Sequence, residues 1–217
     1  SLTSSYLQTL AQQELSKELN FKFEILPTSI KADKNKVAIT FNEHGQQQSI
    51  EVDYLLSATG RSSHLDTLHL EQIESTFKDL KLLPVNLQTK QLGKYPIFII
   101  GDAYTTTPIQ HEAAHEGREV IDNCLNYPQI NSLKTLTPLS IVFSQPEMAI
   151  VGQSFKQLTQ SKIDFVTGMV SYEKQGRALV LGENKGAVEV YIHKTTRKFL
   201  GSELLVHSAE HMAHLLS

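Results

Sequence analysis

The chain has 217 residues, of which 40% are hydrophobic and 20% charged, with a formal net charge of −3. That length holds one large or two small domains with a buried core, and with no basic stripe or arginine-rich run nothing in it recruits nucleic acid. No apolar run reaches the ~18 residues that span a bilayer, and SLTSSYLQTL lacks the basic start and apolar core of a signal peptide.

Residues 4–19 predict an amphipathic helix, because Tyr6, Leu7, Leu10, Ala11, Glu14, Leu15 and Leu19 recur at helical spacing. Strand-like runs follow at 21–30, 36–42 and 48–52. The turn residues Asp33-Lys34-Asn35 and Glu43-His44-Gly45 separate them, which predicts a β-meander. Residues 53–60, DYLLSATG, read as a nearly all-apolar strand covered on both faces. Residues 62–95 are Leu-rich but without a period, and predict loop, short helix and linker.

The segment 97–117, IFIIGDAYTTTPIQHEAAHEG, carries the most information. An apolar strand runs into Gly101-Asp102, and a Thr-rich loop then leads to a helix at 108–125. In α/β proteins small ligands bind beyond the carboxyl ends of strands, which places Asp102 to accept hydrogen bonds from a ligand hydroxyl. Thr107 and Gln110 fit a capping box, and Pro108 fits the first helical position. The free N–H groups at that helix start favour a polar, partly anionic group. Cys124, the only cysteine, excludes an intrachain disulfide and a cysteine-built zinc site and fits a reducing cytoplasm. Its spacing with Val120, Ile121 and Leu125 predicts a buried helix face.

Tyr127-Pro128 marks a break. Residues 137–150 then predict a strand and a Pro-interrupted turn, and 154–160 a helix. Strands are expected at 163–172, 178–181, 187–192 and 198–206, and a last helix at 208–216. An antiparallel sheet with a helix on each side, an α+β unit, is the expected assembly. The chain begins without Met and stops inside a helical pattern, so a piece of a larger protein is expected.

Four segments in order carry a family resemblance. They are VDYLLSATGR (52–61), IFIIGDA (97–103), PIQHEAAHEG (108–117), and TPLSIVFSQPEMAIVG (137–152) with GRALVLGENKGAVEVYI (176–192). The chain resembles the FAD-dependent pyridine nucleotide–disulfide oxidoreductases, and within them bacterial dihydrolipoamide dehydrogenases with a Gln-Gly-Arg motif (175–177) and a Glu-His-x-x-His-Leu-Leu motif (210–216). The resemblance implies an α/β plus α+β fold, with partial Rossmann-like domains ahead of an antiparallel-sheet dimerisation domain. It divides the chain into the end of an NAD-binding domain (1–58), the returning half of an FAD-binding domain (59–134) and an interface domain cut at its C-terminus (135–217).

By the same resemblance Asp102 holds the FAD ribityl chain. Pro108, Ile109, Gln110 and His111 form the turn whose backbone approaches the flavin, and Gly60 lies near the nicotinamide nucleotide. The partners it implies are a second copy through 135–217 and, for the whole enzyme, a 2-oxoacid dehydrogenase complex. The whole enzyme would be cytoplasmic and pass electrons from a dithiol through FAD to NAD⁺. This stretch has neither Gly-x-Gly-x-x-Gly fingerprint, no Cys-x4-Cys pair and no His-Pro…Glu segment, so it is expected to be inactive alone and to bind neither FAD nor NAD.

The residues leave other readings open. The acceptor could be glutathione, mercuric ion or a quinone-like compound in another reductase of the same superfamily. His207-Ser-Ala-Glu210-His211 also spells an inverted zinc-peptidase motif, with His214 extending its face. His111 and His115 are one helical turn apart, and Arg61 follows Thr59-Gly60.

Overall fold

The computed structural model describes residues 2–104 and 109–217. In chain order it contains α1 (Ser5–Leu15), β1 (Pro27–Asp33), β2 (Lys36–Glu43), β3 (Gln46–Val52), α2 (Gln110–Leu125), β4 (Leu139–Val142), β5 (Glu147–Gly152), α3 (Phe155–Gln160), β6 (Phe165–Ser171), α4 (Gly176–Leu181), β7 (Ala187–His193), β8 (Phe199–Val206) and α5 (Ala209–Leu216). Short 3-10 turns lie between β3 and α2. Contacts divide the chain into two compact units, residues 16–62 and the rest.

The unit 16–62 is the expected β-meander, antiparallel in the order β1-β2-β3. Phe41 is its buried residue, and Lys22 reaches both that ring and the Glu43 carboxylate, 2.7 Å away. The predicted strand at 53–60 does not form. Residues 54–60 have no regular structure, and Tyr54 and Leu56 are 92% and 89% exposed. A strand apolar on both faces needs a neighbour on each edge and a layer on each face, and among the described residues nothing pairs with it.

In the larger unit, β4-β5-β8-β7-β6 form one fully antiparallel sheet. Side chains alternate across a sheet, and here both faces of its centre are covered. Ala149, Val151, Val188, Leu204 and Val206 face Ala209 and Ala213 of α5. Ala187, Leu205, Met148 and Ile150 face Leu2, Leu7 and Ala11 of the N-terminal segment. A helix thus lies on each face, but on the far face the apolar cover comes from α1, outside the stretch 137–217 from which the assembly was expected. The predicted strand at 178–181 is instead the helix α4. Gln175 accepts the Ala178 N–H at its start, Gly182 ends it in a left-handed conformation (φ 70°), and β6 pairs directly with β7 without it.

Glu203 lies fully buried in β8, directly opposite Glu189 in β7. It accepts hydrogen bonds from the Thr3 and Ser4 N–H groups (2.6 and 3.0 Å), the Thr3 hydroxyl (2.5 Å) and the Phe155 N–H (2.9 Å). The Tyr191 phenol donates to Glu189 at 3.1 Å, and its ring meets Phe155 and Phe165.

A third cluster forms around Leu65, Leu70, Phe77, Leu83, Leu92 and Ile99. It turns the aperiodic stretch 62–95 into successive 3-10 turns rather than a free linker. The predicted strand at 97–100 is reduced to a short ribbon. The Ile99 N–H donates to Lys90 O, the Leu92 N–H donates to Ile97 O, and Gln91 and Phe98 form an isolated bridge.

Burial, and then the charges of Glu203 and Glu189, push the Tyr191 phenol well above its ordinary value of 10. A raised folded value favours the protonated phenol, so its stabilising contribution is whole below pH ~10 and falls as pH rises further. In an alkaline absorbance titration, Tyr191 is expected to ionise only together with unfolding. The Tyr191→Phe variant should lose that late step, and an unchanged titration would contradict this placement.

Candidate flavin-loop and subunit-interface site

Gly101, Asp102 and Ala103 form a 3-10 turn at the end of the short ribbon, against the first turns of α2. Gly101 has φ +57°, and a Cβ there would lie 2.8 Å from the Ala113 Cβ. Only glycine takes both that backbone conformation and that approach without strain. The Gly101 N–H donates to Glu116 Oε2 at 2.7 Å, and Glu116 Oε1 pairs with Lys90 Nζ at 2.7 Å in a largely buried ion pair. The turn is therefore held to α2 by close packing and by a charge-assisted hydrogen bond. Asp102 is the exposed residue of this buried turn, and the Ser63 hydroxyl donates to Ala103 O on its far side.

Helix α2 starts at Gln110, two residues later than predicted, with Ile109 extended before it. Thr107 and Pro108, on which the predicted cap rests, lie outside the described residues, so the cap is not seen. Ile109, Gln110 and His111 occupy the helix start, and Ile109 O accepts the Ala113 N–H. The structure thus brings Asp102, Ile109, Gln110 and His111 into the neighbourhood of one helix end. Gly60 belongs to the unit 16–62 and has φ +99° with open space where a Cβ would stand.

The predicted buried face of α2 is only partly buried. Val120 is covered, but Ile121 and Leu125 are exposed, and so is Cys124. Among the described residues no second layer lies over that side. Asn123, which carried no signal in the sequence, is buried, and it exchanges two hydrogen bonds with the Asn131 backbone at 2.8 Å each. Glu116 and Lys90 were also invisible as a pair. They are far apart in sequence, and only the fold makes them meet at the Gly101 N–H.

The zinc-peptidase reading does not assemble. His207 precedes α5, which starts at Ala209, so His207 and His211 do not share a helical face. The Glu210 N–H donates to Glu147 Oε2 at 2.9 Å. Among the described residues no three His, Cys, Asp or Glu side chains form a metal-binding group. His111 instead meets His214 ring to ring, with centroids 6.2 Å apart, and the His115 ring contacts Lys134 O at 2.8 Å.

At the β6 end the sheet is bare. Met169 and Val170 of β6 and Leu179, Val180 and Leu181 of α4 are exposed, Val180 by 77%. An apolar edge strand next to an apolar helix is the chemistry of an interface, since an uncovered edge otherwise templates non-specific pairing.

Residues 139–217 match the family model of the pyridine nucleotide-disulphide oxidoreductase dimerisation domain. Dihydrolipoyl dehydrogenase of Bacillus subtilis is 27% identical over 213 residues, which is 97% of this chain and 45% of that protein. Its Staphylococcus aureus counterpart is 29% identical over 185 residues, 84% of this chain and 38% of that protein. Among solved structures, the flavoprotein disulfide reductase RclA of Escherichia coli, as the Cu(II) complex of a cysteine-to-serine mutant, superposes with a TM-score of 0.81 at 20% identity, covering 98% of this chain and 47% of that one. LpdA of Mycobacterium tuberculosis gives 0.79 at 16%, covering 98% and 45%. These two show the fold. The chain spans less than half the length of the curated relatives it matches. Residues 139–217 thus match the dimerisation-domain model, and over most of its length the chain is similar to dihydrolipoyl dehydrogenases. Among the described residues no helix is long and apolar enough to cross a membrane.

Replacing Glu116 by Ala is expected to cost about 1–3 kcal/mol, because it leaves the Gly101 N–H and the Lys90 ammonium without their shared acceptor. The loss should appear in the urea midpoint and as faster solvent exchange of the Gly101 amide. Equal exchange in both proteins would contradict the clamp.

Proposed function

We propose that the chain supplies the flavin-ribityl turn and the subunit interface of an FAD- and NAD-dependent dihydrolipoamide dehydrogenase. The observation that carries this reading is the five-stranded sheet of residues 139–217, which matches the dimerisation-domain model and has an uncovered apolar end. On this reading residues 1–58 close an NAD-binding domain, 59–134 return to an FAD-binding domain, and 135–217 bind a second copy across a twofold axis.

Asp102 then accepts hydrogen bonds from the ribityl hydroxyls, and its place on a turn clamped at Gly101 supports that role. Ile109, Gln110 and His111, with Pro108 before them, present the helix start to the flavin, where unpaired N–H groups stabilise negative charge. Gly60 admits the nicotinamide nucleotide, its missing Cβ leaving open space. Bound FAD supplies the electron relay between a dithiol and NAD⁺. Residues of this chain would hold and orient the cofactor but hold no redox cysteine pair, so the chain alone is inactive. The whole enzyme works in the cytoplasm and serves a 2-oxoacid dehydrogenase complex. A reductase of the same superfamily with a glutathione, mercuric or quinone-like acceptor is the second reading, because this chain's residues fit both.

In light scattering the chain is expected at twice its own mass. Val180→Glu, which puts a charge where a partner would desolvate it, should weaken association by at least about tenfold. A monomer at all concentrations, or a Val180→Glu dimer of unchanged strength, would count against the interface.

A further inference from the structure

The N-terminal segment 2–15 precedes residues 16–62 in sequence, yet it is grouped with the larger unit and lies across the far face of its five-stranded sheet. Its hold there is uneven. The apolar part consists of Leu2, Leu7 and Ala11 against Ala187 and Leu205, with Leu10, Met148 and Ile150 at the margin. Most of α1 is otherwise exposed. A helix of 11 residues is shorter than the ~12–15 residues that persist unaided in water, and no strand pairs with it. The polar contacts with the sheet centre on one group. The Glu203 carboxylate takes the Thr3 N–H, the Thr3 hydroxyl and the Ser4 N–H from the segment, and the Phe155 N–H from the start of α3. The Thr3 hydroxyl oxygen in turn accepts the Lys156 N–H at 3.0 Å.

We propose that residues 2–15 form a releasable strap whose polar hold on the sheet centres on the Glu203 carboxylate. Glu203 is a positioning residue here and touches no ligand. With the strap open, Leu205 and Ala187 lose their cover while the β7–β8 ladder, held by backbone pairing on both sides, remains. The strap is thus the element expected to open first, ahead of the sheet.

Hydrogen–deuterium exchange of the full chain, followed by mass spectrometry of its peptides, tests this. In Glu203→Gln, peptides from residues 2–15 should exchange about tenfold faster or more, the effect of losing a charge-assisted acceptor, while 187–206 keep their protection. Thr3→Val, which removes only the hydroxyl, should give a smaller rise confined to 2–15 and to the start of α3. If Glu203→Gln fails to fold, Thr3→Val decides alone. Unchanged exchange at 2–15 in both variants overturns the proposal. So does loss of protection in 187–206 in step with 2–15, which would make Glu203 part of the sheet's common core rather than the fastening of a strap.

Discussion

A carboxylate with no contact with water is tolerated only where donors surround it, and Glu203 meets that demand with N–H groups from two separate stretches of chain. The middle of the sheet is organised around this requirement. Residues 2–4 must come to β8, α3 must begin with its first N–H pointing at the same oxygen pair, and Tyr191 must keep its proton beside the neighbouring Glu189. Apolar packing of α1 on Ala187 and Leu205 is non-directional and sets register less sharply than hydrogen bonds do. The buried charge fixes the position that hydrophobic contact leaves loose.

The same arrangement recurs on a smaller scale at the Asp102 turn. Here too a carboxylate, Glu116, takes a backbone N–H from a distant piece of chain, and Lys90 balances its charge. The result is a clamped turn with an exposed Asp102. The likeness to known proteins and the flavin-loop reading concern different parts of the chain. Residues 139–217 match the dimerisation-domain model, while the flavin-loop reading starts from the turn at Asp102.

The sequence was most legible where local pattern and tertiary partner agree. The meander at 27–52 and the strands β6, β7 and β8 lie near where alternation and turn residues put them, because their neighbours are within this chain. It misled where an apolar run has no partner here. DYLLSATG stays unstructured and the Cys124 side of α2 stays exposed, as hydrophobicity records what a segment prefers and not whether a cover is present. It misled also at 178–181, where Leu179, Val180 and Leu181 read as strand but Gln175 and Gly182 cap a helix. The turn at Gly101-Asp102 was legible from its place after an apolar run. Its support was not, because Glu116, Lys90 and Gly101 become neighbours only after folding. Glu203 gave no signal either, since an acidic residue in a strand ordinarily marks a solvated face.

If this chain works as part of a dithiol-linked flavoenzyme, the coding sequence on either side of these 217 residues holds the parts it lacks, and reading that sequence is the decisive test. A Gly-x-Gly-x-x-Gly fingerprint and a Cys-x4-Cys pair are expected ahead of Ser1, and a His-Pro…Glu segment beyond Ser217. Fingerprints without the cysteines would replace the dithiol reading with another flavin reductase, and finding neither would contradict the enzyme assignment.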